Sequence, residues 1–205
     1  MNYEISRTMA ARFMGMKGNA EDERVMVRIE DAIALLQRVC QPRHIVRRFP
    51  LAVSGDTVNL GPLALLSGPL TRLLAPCMEG LLVAATLGIE ADAEICKASV
   101  TEISRAAALQ ACAGAMLEGY LDAVNESLST QAAQEGLTTL RRFSPGYGGL
   151  SLECQRDILN LLGAPKAIGL TATDAGMLAP TKSVTAIIGL SKKTQADEAP
   201  QKTKE

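Results

Sequence analysis

Apolar residues recur at helical spacing in some stretches of the chain and run together in others, and these two patterns predict its elements. In residues 1–14, Ile5, Met9 and Phe13 share one helical face, and the Gly15 to Gly18 stretch breaks the pattern. Asn19 is placed to cap a second helix over residues 20–39, with Glu21, Asp22 and Glu23 near the positive end of its dipole. Val25, Ile29, Ile33, Leu36 and Val39 form its apolar stripe, and Pro42 ends it. Residues 45–53 read as a strand, Ser54-Gly55-Asp56 as a turn, and residues 57–60 as the second arm of a hairpin. Ser67 caps a predicted helix with Pro69 in its first turn and Pro76 near its end. Residues 81–87 form a buried strand ending at Gly88, and residues 91–98 a short helix.

The dominant element is a helix over residues 101–128. From Ala106 to Leu117 it carries no charge, and Gln110 alone interrupts the apolar and small side chains. A helix that is apolar all round belongs in the centre of a domain. Gly136 closes this element or the turn after it. Residues 152–162 form a short helix stopped by Gly163 and Pro165, and residues 166–170 and 183–190 read as strands. The polar residues 191–205 are expected to be a disordered tail. The fold expected is α+β: a twisted, mainly antiparallel sheet packed against a long buried central helix with flanking helices. Residues 1–190 then form one domain, helical up to about residue 40.

Composition narrows the chemistry. At 205 residues and 47% hydrophobic content, one compact domain with a real core is expected. Aromatics make up only 3%, so the core packs through small side chains. A formal charge of -1 with no long basic run gives no electrostatic reason to expect nucleic acid. The five cysteines form no Cys-x-x-Cys pair and are odd in number, which argues against a disulfide framework or thiolate metal site and fits a reducing cytoplasm. The first 14 residues carry Glu4, Arg7 and Arg12 and lack the apolar core of a signal peptide. No run reaches the roughly eighteen apolar residues that span a bilayer. With His44 as the one histidine, neither a catalytic triad nor a zinc site is built convincingly. Gly15-Met16-Lys17-Gly18 has only the superficial outline of a single-strand RNA clamp, and a helix-breaking loop explains it.

The stretch richest in chemistry is Arg142-Phe143-Ser144-Pro145-Gly146-Tyr147-Gly148-Gly149. Pro145-Gly146 suits the centre of a type II turn. Read locally, this is either a turn whose Tyr147 plugs the core, or a loop whose bare backbone approaches a small polar ligand. In the second reading Arg142 faces a carboxylate and Tyr147 supplies a ring and a hydroxyl. Glu118, Asp122 and Glu126 share one face of the long helix. Asp122 and Glu126 read as a solvated face, whereas Glu118 follows the apolar run directly and favours an ammonium or sulfonium group.

Taken in order, Val83 to Gly88, Leu117-Glu118, the Arg142–Tyr147 loop, Leu170-Thr171 and Met177 to Thr185 resemble the activation (reactivation) domain of cobalamin-dependent methionine synthase. The resemblance covers about residues 80–190, with a shorter N-terminal part like that of stand-alone relatives. It implies that Arg142, Ser144, Pro145, Gly146 and Tyr147, with Glu118 on the helix, surround S-adenosylmethionine. Gly148 stands where the family has a second proline, and the N-terminal acid that contacts the ligand's amino group has no counterpart. The implied role is that of a cytoplasmic accessory subunit without catalytic residues of its own. It would present a methyl group for reductive methylation of cob(II)alamin on a separate methionine synthase or other corrinoid protein, with a flavodoxin-like electron donor. His44 lacks the Asp-x-His-x-x-Gly setting of a cobalt ligand, so cobalamin would arrive on the partner. The alternative is a docking module for a corrinoid protein or methyltransferase that binds no S-adenosylmethionine.

Overall fold

The computed structural model describes residues 3–16 and 23–192. Residues 3–6 lead into α1 (Arg7–Phe13), where the Ser6 side chain accepts a hydrogen bond from the Met9 amide and so fixes the start of the helix. This cap makes α1 shorter than the spacing predicts. Ile5 is buried and Met9 packs against the core as the spacing predicts, joined by Ala10 and Ala11, but Phe13 is 54% exposed. The second helix, α2 (Glu23–Val39), buries Ile29, Ala32, Ile33 and Leu36. The expected cap at Asn19 and the acids at Glu21 and Asp22 lie outside the described residues, as do Lys17 and Gly18.

The sheet begins with β1 (Arg43–Ser54), followed by β2 (Thr57–Leu60) and β3 (Leu63–Leu66). Ser67 then caps α3 (Gly68–Leu74), as its sequence predicts. The central strand β4 (Cys77–Thr86) runs into α4 (Ile89–Thr101). Glu102 is extended and separates α4 from the long α5 (Ile103–Gln134). A short β5 (Leu137–Thr139) leads to the glycine loop, then α6 (Cys154–Leu162) and α7 (Ala164–Ile168). Two short strands, β6 (Thr171–Ala172) and β7 (Leu178–Ala179), pair with each other before β8 (Ser183–Lys192).

Six strands form one antiparallel sheet in the order β3-β2-β1-β4-β8-β5. The fold is α+β, with α5 packed on the sheet and flanked by α1, α2 and α4. Side chains alternate across β4: Leu81, Val83, Ala85 and Leu87 join the core under α5, while Leu82 and Ala84 join a second core. That second core lies against β2, β3, α3, α6 and α7, with Leu60, Leu70, Leu159 and Ile187 within it.

Residues 166–170, expected as a strand, instead lie mostly in α7. Gly163 ends α6 in the left-handed region, Pro165 sits in the first turn of α7, and Gly169 ends it in the same left-handed way. A proline there is preorganised for a helix start and needs no amide partner. Ser191 and Lys192, expected in a polar tail, belong to β8; residues 193–205 lie outside the described residues.

Candidate functional site

The loop between β5 and α6 is tied down on both sides. Phe143 is 7% exposed, and its backbone exchanges hydrogen bonds with Ile187 of β8 at 2.9 and 2.8 Å. Two tight turns follow. The Tyr147 amide donates to the Ser144 carbonyl at 3.3 Å with Gly146 at φ 91, as the Pro-Gly pair predicts. The Leu150 amide donates to the Tyr147 carbonyl at 3.0 Å across Gly148 and Gly149. Gly148 has φ 54, and a Cβ there would lie 2.7 Å from the Phe143 ring and 3.1 Å from Pro69, so a side chain is excluded twice over. The Ser67 hydroxyl donates to the Gly148 carbonyl at 2.8 Å while accepting from the Leu70 amide at 3.2 Å. The cap of α3 and the anchor of the loop are therefore one buried side chain, 4% exposed.

The loop forms one wall of a cleft of about 270 Å³. Arg141, Arg142, Ser144 and Tyr147 line it from the loop, Glu118 and Leu121 from α5, and Val184 and Ala186 from β8. Of the residues singled out in the sequence, Glu118, Arg142, Ser144 and Tyr147 thus come together in one place. Pro145 and Gly146 do not line the cleft: Pro145 is buried, and Gly146 turns the chain beside Leu152. Tyr147 does not plug the core, being 72% exposed at the cleft.

The charges within the cleft engage one another. Arg142 Nη2 donates to Asp122 Oδ1 at 2.9 Å and to Glu118 Oε2 at 3.3 Å. Asp122, expected on a solvated face, therefore partners the loop arginine; the reach of Arg142 back to the next turn of α5 makes the contact. Glu126 stays exposed one turn further on. Arg142 Nη1 is buried and meets no acceptor among the described residues. Such an under-satisfied donor is costly and favours a group that can accept from it.

Chemistry elsewhere is quieter. His44 is half-buried on β1, its Nδ1 2.7 Å from the Tyr120 hydroxyl, and burial holds its pKa below the ordinary histidine value. All five cysteines are free. Burial pushes the thiols of Cys40, Cys77, Cys112 and Cys154 up to about 11, so they stay protonated at neutral pH. Among the described residues, no group of three or more His, Cys, Asp or Glu side chains is arranged to hold a metal ion. Nor is any helix among them long and apolar enough to cross a membrane. A larger cavity, about 420 Å³, lies between the N-terminal segment and α2, where Arg7 and Glu30 pair. It contains none of the residues singled out in the sequence for a ligand.

No family model matches this chain, and no curated protein matches it. Among solved structures it is similar to the crystal structure of the MetH reactivation domain bound to AdoHcy, with a TM-score of 0.67 and 16% sequence identity. The similarity covers 90% of this chain and 73% of that one. At that identity the likeness is one of fold: nearly the whole chain shares the architecture of a reactivation domain.

Proposed function

We propose that this chain is a stand-alone reactivation subunit that binds S-adenosylmethionine in the Arg142–Glu118 cleft. It would present the methyl group for reductive methylation of cob(II)alamin carried by a separate cobalamin-dependent methionine synthase. One observation carries the reading: a guanidinium, a carboxylate and an exposed tyrosine converge on one cleft, in a fold shared with a domain solved with AdoHcy bound.

In this reading the protein acts by positioning. Arg142 takes the ligand's carboxylate, Glu118 faces its cationic end, and Tyr147 with Ser144 orients the nucleoside, while Pro145 and Gly146 set the turn that carries them. Ser67 holds the loop's far end in place. No protein nucleophile is needed, because the sulfonium already carries an activated methyl group. Cobalamin supplies the metal that accepts it, on the partner. The electron would come from a flavodoxin-like donor.

The rival reading is a docking module for a corrinoid protein or methyltransferase, and the existing pairing of Arg142 with Glu118 and Asp122 favours it. Calorimetric titration with S-adenosylmethionine separates the two. The wild type should bind, and Arg142→Ala or Glu118→Ala should weaken binding roughly ten- to a hundredfold, as loss of a charged hydrogen bond implies. Absence of heat and of any thermal shift in the wild type would instead leave the docking module.

A further inference from the structure

Arg142 lines the cleft and pairs with two acids, yet its bonding is incomplete. Its Nη2 is shared by two acids, at 2.9 Å from Asp122 and 3.3 Å from Glu118, while its buried Nη1 has no acceptor among the described residues. The two acids are not equivalent. Glu118 lines the cleft, and its side chain is 44% exposed; Asp122 holds the guanidinium from outside the lining, and its side chain is 67% exposed. The shorter contact is therefore made by the more solvated carboxylate.

We infer that Asp122 competes with the ligand for Arg142, so that it sets the affinity of a ligand that brings a carboxylate and leaves a ligand without one unaffected. This rests on the ligand reading proposed above and adds what the ligand's carboxylate must displace from Arg142. A ligand with a carboxylate alone would take Arg142 from both acids and leave Glu118 without a counter-ion. A ligand with a cation alone would reach Glu118 and leave the guanidinium as incompletely bonded as before. A zwitterionic amino-acid end does both. Its carboxylate accepts from the planar guanidinium fork, including Nη1, and its ammonium faces Glu118. Asp122, already mostly in water, returns to it at little cost, since exposed ion pairs are weak.

The test titrates the whole chain with AdoHcy and with 5′-methylthioadenosine, which shares the nucleoside and thioether but lacks the amino-acid end. Wild type, Asp122→Asn and Glu118→Gln are compared. Asp122→Asn removes the competing charge while keeping its shape, and should tighten AdoHcy roughly fivefold, the upper range for an exposed pair. It should leave 5′-methylthioadenosine unchanged, whereas Glu118→Gln should weaken AdoHcy. If Asp122→Asn binds AdoHcy as well as or worse than wild type, or shifts both ligands alike, competition by Asp122 is overturned while the ligand reading stands. If the wild type binds neither molecule, the proposed function fails and this inference fails with it.

Discussion

The two faces of the sheet are packed by different means. Under α5 the core is richer in small residues, with Ala108, Cys112, Ala113, Ala115, Ala85 and Ala186 set among larger ones such as Leu81, Leu109, Met116 and Ile188. On the other face Leu60, Leu65, Leu70, Leu74, Leu159 and Leu162 fill the space. Small side chains let backbones approach closely. At Gly119 of α5 the contact is tightest, since a Cβ there would overlap the Glu4 carbonyl oxygen. Close approach is not confined to the first face, since a Cβ at Gly80 or Gly189 would crowd Leu60 or Leu74 of the second; the faces differ in where an alanine can be overfilled and where a leucine can be hollowed out. The candidate cleft lies at the seam, lined by Leu121 and Ala186 of the first core and Phe143 of the second.

Chemical denaturation of two variants breaks or upholds this contrast. Leu159→Ala, at a site 1% exposed, should cost about 2–5 kcal/mol through lost burial and a residual cavity. Ala113→Leu, where the alanine is 0% exposed, should cost about 1–3 kcal/mol through overpacking. A Leu159→Ala variant as stable as the wild type would erase the distinction between the faces.

Ser67→Ala sharpens the same contrast at the seam. Loss of the α3 cap should cost about 1 kcal/mol, read as a lower melting temperature. The freed Gly148 carbonyl should also loosen the loop, so affinity for AdoHcy should fall in the same variant. Unchanged affinity would show that the second core does not hold the loop.

The smallest expected effect is that of His44, which belongs to the small-residue face through Tyr120. Burial lowers its folded pKa, so the unfolded chain takes up the proton first as pH falls. The stability it contributes is complete above about pH 6.5 and is lost as pH falls toward the depressed folded value. Melting between about pH 7.5 and about pH 5.5 should therefore be steeper in the wild type than in His44→Gln. Parallel profiles would mean that the ring stays open to water.

Much of this architecture was legible in the chain because its long elements have clear periods. The uncharged run Ala106 to Leu117 placed α5 at the centre, and Ser67-Gly68-Pro69 placed the start of α3. β3 was not legible, because Leu63-Ala64-Leu65-Leu66 is apolar throughout, and its alternating burial appears only once β2 pairs with it. α7 was misread because five residues are too few to show a helical period. In the candidate site the turn was legible, since Pro145-Gly146 acts locally. Ser67 lies 81 residues from Gly148, and Asp122 lies 20 from Arg142, so neither partnership leaves a local signal.

β1 takes part in two ladders, pairing through residues 43–50 with β4 and through residues 51–54 with β2. A slip of one position along it would turn every side chain in both ladders inside out at once. The hairpin end of the sheet therefore cannot open by sliding past its centre; it can only fray from its edge at β3.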